Sequence, residues 1–430
     1  MPRTRNGAVI VVVRIMGMRI LMMRILMMRI LTVLAMLLAC CGGAPALDNG
    51  LARTPPMGWN SWNAFGLKMN EAMIRSTADA MVSSGLKAAG YEYIIVDAGW
   101  KAKSRDAAGR LRADAEKFPS GMKALADYVH SQGLKFGIYT DAGSEDCVSG
   151  APGSRGFEEL DAASFAAWGV DYVKEDWCNT TGGNAREAYT KMGQAILKTG
   201  RPMVFSICEW GDNRPWEWAA PVANLWRTTG DSKDCWDCGR ETRNKPGGYP
   251  RGWVLILDAQ PPLAAYAGPG HWNDPDLLQV GNSGLTTEES RAQFSLWAIL
   301  AAPLIATNDL RSGDLQAMTP EIREILANQE LIAVDQDSRG TEGTRVGVGG
   351  SGEVWMRPLA DGSRAVVLFN RSQSRQTIRV RWTDIGGKQT DSLPLRDLWK
   401  HQDLGIVKHG YTARVPAHGV VMIKAGPPIK

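Results

Sequence analysis

Between Gly58 and about Asp335 the chain repeats one local pattern, a short β-rich run followed by a stretch with helical spacing. The runs YEYIIVDAGW, LKFGIYTDAG, VDYVKEDWC, RPMVFSICEWG and NLWRTTGD recur every few tens of residues. The pieces between them, such as SGMKALADYVHSQG and DAASFAAWG, carry apolar residues at helical intervals and end in glycine. A strand that returns through a helix lies parallel to its predecessor, and enough such units close into a (β/α)8 TIM barrel of the α/β class. Beyond about Gly340 the pattern changes to GEVWMRPLADGSRAVVLFNRS and QTIRVRWTDIG, alternating strands with DG and GG turns and little helix. This predicts a C-terminal antiparallel β-sandwich domain. A length of 430 residues accommodates both, with a barrel over residues 47–338 and the β domain over 339–430.

TIM barrels place their chemistry at the carboxyl ends of the strands, and there this chain concentrates its charge. In VDYVKEDWC, Lys174, Glu175 and Asp176 interrupt an apolar run. Such charges are costly to bury unless paired or used. Alternation puts Lys174 and Asp176 on one face and Glu175 on the other. A lysine beside Asp176 favours the ionised carboxylate, which suits a nucleophile; an ordinary ion pair closing a strand is the plainer alternative. The other strand ends supply Asp97, Asp141, Glu209, Asp231, Asp274 and Asp276, with Trp62, Trp100, Tyr139, Trp210 and Arg227. Acidic groups accept hydrogen bonds from sugar hydroxyls and aromatic rings stack on the apolar face of a pyranose, so the set matches carbohydrate chemistry. Two of the carboxyls can serve as the catalytic pair of glycoside hydrolysis. Barrel filling is the plainer alternative for Trp62 and Tyr139, and the less favoured one. A divalent metal is the rival use for an acidic cluster, but five histidines with no HExxH or EF-hand spacing argue for neither metal nor cofactor.

Residues 1–46 are of another kind. Arg3, Arg5, Arg14, Arg19, Arg24 and Arg29 lie among apolar runs without an acidic residue, and the segment ends in LTVLAMLLACCGGAPA, the pattern of an export signal. Leu37-Leu38-Ala39-Cys40 resembles a bacterial lipoprotein box, which makes a lipid anchor at Cys40 the alternative to a freely exported protein. The apolar run from Ile30 to Ala39 is too short to span a bilayer comfortably. Six of the 49 basic residues lie in this segment, so the 43 that remain stand against 45 acidic ones. That near-neutral balance, without a basic stripe, gives no footing for nucleic acid. Of the cysteines beyond the leader, Cys147, Cys178, Cys208, Cys235 and Cys238, export permits disulfides and the odd count leaves one thiol over. Cys235 and Cys238 form a lone CxxC, a weak metal signal and more simply a local disulfide or two thiols.

Taken in order, LARTPPMGWNSWNAF, VDAGW, VKEDWC, CEWG, WR followed by Asp231, GPGHWNDPDLL and AAPLIATNDLRS resemble glycoside hydrolase family 27, the α-galactosidases or melibiases. The resemblance is dense over residues 51–340 and looser beyond. It implies a retaining exo-glycosidase acting on terminal α-galactosides of an oligosaccharide or polysaccharide, with Asp176 as nucleophile and Asp231 as acid/base. It further implies sugar contacts from Trp62, Asp97, Tyr139, Lys174, Glu209, Arg227 and Asp276, and a disulfide between Cys147 and Cys178 beside the pocket. Lys174 would bind sugar hydroxyls and hold Asp176 ionised, while Glu175 would be a structural ion-pair member behind the barrel. Cys208 is expected as a buried free thiol.

One position departs from the family. Where its members carry two adjacent aspartates after the second strand, this chain has Asp97-Ala98. Loss of a charged acceptor for a sugar hydroxyl corresponds to about 1.5–3 kcal/mol, a tenfold or larger change in discrimination. β-L-Arabinopyranosides, which lack the hydroxymethyl group, and α-1,6-glucans are therefore alternative substrates. A non-catalytic sugar-binding protein is a further alternative, weighed against by the presence of both catalytic aspartates. A barrel acting on phosphosugars would carry a glycine-rich cradle where GPGHWNDPD is acidic.

Overall fold

The computed structural model describes residue 47 and residues 49–242, 249–311 and 318–427. The leader, with Cys40, lies outside the described residues. Eight parallel strands form one sheet: β1 Met57–Asn60, β2 Tyr93–Val96, β3 Lys135–Asp141, β4 Tyr172–Asp176, β5 Val204–Cys208, β6 Leu225–Arg227, β7 Trp272–Asp274 and β8 Leu304–Ala306. They pair in chain order from β1 to β7, and β8 pairs with β1. The ring closes just beyond β7, where Leu278 bridges Ala306 and its N–H donates to the carbonyl of Ile305 at 2.9 Å.

The strands are apolar on both faces because both faces are covered. Tyr93, Ile95, Tyr172, Val204, Leu225, Trp272 and Ile305 point inward and fill the lower barrel. Their neighbours Ile94, Val96, Val173, Phe205, Ile207 and Trp226 point outward into the core shared with the helices. The helices begin where side chains satisfy their first N–H groups. Asn70 caps Glu71–Ser83, Asn184 caps Ala185–Lys198, and Thr286 with Glu289 forms a capping box at Thr287–Leu300.

The C-terminal strands are β9 Thr344–Gly349, β10 Gly352–Pro358, β11 Arg364–Asn370, β12 Gln376–Arg381, β13 Ser392–Asp397, β14 Gln402–Lys408, β15 Gly410–Val415 and β16 Val420–Ala425. Six form an antiparallel sheet in the order β9-β10-β11-β16-β13-β14, and β12 with β15 forms a facing ribbon. Period-two alternation divides β11 between two cores. Val366 and Leu368 pack in the sandwich with Val380 and Trp382, whereas Val367 and Phe369 join the barrel's core beside Thr287–Leu300. Among the described residues no helix is long and apolar enough to cross a membrane.

Glu342, between barrel and β domain, is buried and accepts from Asn273 Nδ2 at 2.7 Å; burial pushes its pKa up to about 8. It is neutral in the fold but ionises in the unfolded chain above its ordinary value, so its contribution is complete at low pH and lost as pH rises toward 8. Thermal melting should therefore fall by several degrees between pH 5.5 and 8.5, and Glu342→Gln should fall less; equal falls in both proteins refute the assignment.

Candidate active site

At the carboxyl end of the barrel, Trp62, Asp97, Tyr139, Lys174, Asp176, Arg227, Asp231 and Asp276 line one pocket of about 500 Å3. Each comes from a different strand end except Lys174 and Asp176, which share β4, and Arg227 and Asp231, which follow one another out of β6. The inward parity of Tyr172 continues to Lys174 and Asp176, so the pattern that builds the core also aims the charge.

Asp176 is buried, and its Oδ1 has no hydrogen-bond partner among the described residues. Lys174 Nζ stands 3.7 Å from that oxygen but only 2.9 Å from Asp97 Oδ2. Burial raises the Asp176 pKa from its ordinary value and Lys174 opposes the rise. Lys174 itself would be lowered by burial, but Asp176 and Asp97 hold it well above the ordinary lysine value. Asp97 is shared further, accepting from Asn60 Nδ2 at 2.7 Å. Asp231 is more open, with its side chain 40% exposed, and accepts from Arg227 Nη2 at 3.1 Å. The other arm of Arg227, Nη1, meets Asp276 Oδ1 at 2.9 Å.

Asp276 has φ +81°, a conformation uncommon outside glycine. Four bonds hold it there: its N–H donates to Asp274 Oδ1 at 2.8 Å, its Oδ2 accepts from the Ser232 N–H at 2.6 Å, its carbonyl accepts from Trp297 Nε1 at 2.9 Å, and Arg227 adds the ion pair. Burial pushes its pKa to about 7 against the pull of Arg227. Asp274 is thereby a turn residue that orients Asp276.

Cys147 and Cys178 are joined, tying the loop after β3 to the residue two beyond Asp176. Cys147 Sγ touches Asp176 Oδ2 at 3.5 Å. Asp141, the register partner of Asp176, accepts from the N–H groups of Gly143 at 2.8 Å and Cys178 at 3.2 Å. Burial and then the Asp176 charge raise its pKa to about 8. Asp141 with these two sulfurs is the one cluster of potential metal ligands among the described residues, and the sulfurs are bonded to each other. A loop closed across a sequence separation of 31 contributes about 3–4 kcal/mol in the chain-entropy picture. Cys147→Ser/Cys178→Ser should lower the melting temperature accordingly, read by calorimetry, and an unchanged transition would refute it. Cys235 and Cys238 are also bonded, and Cys208 is a buried free thiol.

One expectation changes, that for Glu175, and Glu209 sits apart from the pocket lining. Glu209 is fully buried but does not line the pocket; its Oε2 accepts from both the N–H and the Nδ2 of Asn213 at 2.6 Å, and the next residue, Trp210 with φ +57°, lines the pocket instead. Glu175 faces the helices as parity requires, yet it forms no ion pair among the described residues. Burial and the surrounding Asp141, Glu158 and Asp161 raise its pKa well above normal. Its Oε2 has no hydrogen-bond partner among the described residues. Asn63, Val148 and Leu277 also line the pocket. Of these, Asn63 was within reach of sequence reading, since it follows Trp62 in WNSWNAF; Val148 and Leu277 carry no polar signal.

The sequence profile of alpha galactosidase A matches residues 54–337, and that of the alpha galactosidase C-terminal beta sandwich domain matches 349–425. Alpha-galactosidase A of Cellvibrio japonicus is 48% identical over 406 residues, spanning 92% of this chain and 97% of its own. Among solved structures, alpha-galactosidase I of Mortierella vinacea superposes with a TM-score of 0.85 at 38% identity, covering 89% of this chain and all of that one. A family 27 β-L-arabinopyranosidase of Geobacillus stearothermophilus follows at 0.76 and 27%, covering 89% of this chain and all of that one. With the barrel, the sandwich and the acidic pocket all in place, the chain belongs to glycoside hydrolase family 27, the α-galactosidases or melibiases.

Proposed function

We propose that this glycosidase is exported and removes terminal α-D-galactosyl residues with retention, by double displacement. The observation that carries the reading is the Asp176 carboxyl group, whose Oδ1 has no hydrogen-bond partner among the described residues, in a pocket that Asp231 also lines. Asp176 attacks the anomeric carbon as Asp231 protonates the departing oxygen; water, deprotonated by Asp231, then hydrolyses the glycosyl-enzyme. The greater exposure of Asp231 suits a group that must meet a leaving group and later a water. Asp97, Lys174, Arg227 and Asp276 bind sugar hydroxyls, with Trp62 and Tyr139 as aromatic walls. Two disulfides support an oxidising compartment.

A second reading has an observation of its own. Ala98 is 3% exposed and lines the pocket next to Asp97, presenting a methyl group where a charged acceptor would grip a hydroxymethyl. This favours activity on β-L-arabinopyranosides, the substrate named for the Geobacillus relative. Aryl α-galactoside, β-L-arabinopyranoside and α-glucoside should be compared with purified enzyme. The expected result is turnover of the galactoside with a modest lead over the arabinopyranoside, widened about tenfold by Ala98→Asp. Turnover of the arabinopyranoside or glucoside without the galactoside would overturn the first reading.

A further inference from the structure

The two-stranded ribbon of the β domain carries a charged face that the pocket does not use. Along β12 Gln376–Arg381, Ile378 and Val380 enter the sandwich core, so alternation turns Thr377, Arg379 and Arg381 outward. On β15 Gly410–Val415, Ala413 and Val415 face that core, and Thr412 and Arg414 are exposed. The antiparallel register sets Arg414 opposite Thr377 and Arg379 opposite Thr412. Three successive outward rungs therefore present one arginine each, spaced about 7 Å apart along the ribbon. Strand pairing thus builds a basic stripe that the linear sequence does not show.

No carboxylate answers it. Residues 362–383 and 404–430 contain no acidic residue. None of the three arginines forms an ion pair among the described residues. Asp384, the nearest acid in sequence, turns its Oδ2 to the backbone N–H of Arg381 at 2.9 Å. Like charges at neighbouring cross-strand positions are destabilising, so the row is a cost to the fold that an external anion would relieve.

The chemistry of the face narrows that anion. A planar guanidinium pairs bidentately with a carboxylate or a phosphate. The outward rungs hold no aromatic ring on which a base could stack and no apolar side chain to enter a bilayer. The threonine hydroxyls opposite the arginines can exchange hydrogen bonds with sugar hydroxyls. The chain is a glycoside hydrolase, and a second anchor on a carbohydrate polymer raises the concentration of chain ends at its pocket. We infer that the ribbon binds an acidic polysaccharide through its carboxylate groups and holds the enzyme on that polymer. Binding of this kind does not depend on which sugar the pocket accepts.

The test is titration of the purified enzyme with polygalacturonate, beside neutral mannan, phosphatidylglycerol vesicles and duplex DNA at one ionic strength. Polygalacturonate is expected to bind in preference to the other three, and more weakly as NaCl is raised, since exposed charges are screened beyond about 10 Å at 0.1 M. Arg379→Glu/Arg414→Glu should weaken that binding by about tenfold or more. Lys191→Glu/Lys198→Glu, the same change of net charge on exposed positions of a barrel helix, should leave it unchanged. Both variants should keep native circular dichroism and wild-type kcat on the aryl glycoside that wild type cleaves. Arg379→Gln/Arg414→Gln removes the charge without reversing it and should weaken binding in the same direction, which serves if the reversal does not fold. Wild type that ignores polygalacturonate, equal weakening in the ribbon and helix variants, or binding of mannan, vesicles or DNA as tight as that of polygalacturonate would each overturn the assignment.

Discussion

Asp176→Asn should fold normally and lose kcat on an aryl α-galactoside by about 10^3-fold or more. The amide keeps the size of the carboxylate, so packing near Lys174 and Cys208 is preserved, but it cannot form the glycosyl-enzyme. Removal of the side chain in Asp176→Gly opens room for a small anion. Added azide should then restore turnover and yield the β-galactosyl azide, because the anion enters from the face the carboxylate occupied. Native-like residual kcat in Asp176→Asn, or azide that changes nothing in Asp176→Gly, would remove Asp176 from the nucleophile's place. Since burial raises its pKa, the acid limb of kcat/KM in wild type should also lie above the value of an exposed aspartate.

Gly143→Ala should be the most damaging single methyl added near the pocket. A Cβ built there would overlap the carbonyl oxygen of Cys178, and one at Gly153 would overlap the carbonyl of Gly143. Three backbone segments are stacked in contact, and none is the movable end of a side chain. Overpacking of this kind costs about 1–3 kcal/mol or more. The strain falls on the segment whose N–H groups hold Asp141 and whose disulfide touches Asp176. Gly143→Ala is therefore expected to lose both melting temperature and kcat, whereas Gly150→Ala, strained by its φ of +62° but with open space around its Cβ, should lose melting temperature and keep kcat. Equal kcat in the two variants would show that the stack does not position the carboxylate.

Much of the site was legible because strand parity is a local property. Tyr172, Lys174 and Asp176 share a face in any strand, so VDYVKEDWC alone places the lysine and the carboxylate together and turns Glu175 away. Parity does not say what waits on the far side. Glu175 was expected to pair with a cation; instead burial and the nearby Asp141, Glu158 and Asp161 raise its pKa well above normal. Parity likewise does not say which residue of a strand end reaches the pocket lining: Trp210, with its positive φ, does, while Glu209 is buried and accepts from Asn213.

The sequence by itself determined the alternation of strand and helix, the change to antiparallel strands near Gly340, and the identity of the acids at the strand ends, all of which follow from neighbours a few residues apart. Only the tertiary structure decided that Asp97 takes the closer contact to Lys174 and that Ser232 pins Asp276. These pairings join residues 77 and 44 positions apart. Their geometry is set by ring closure and by loops packed against one another, which no local pattern encodes.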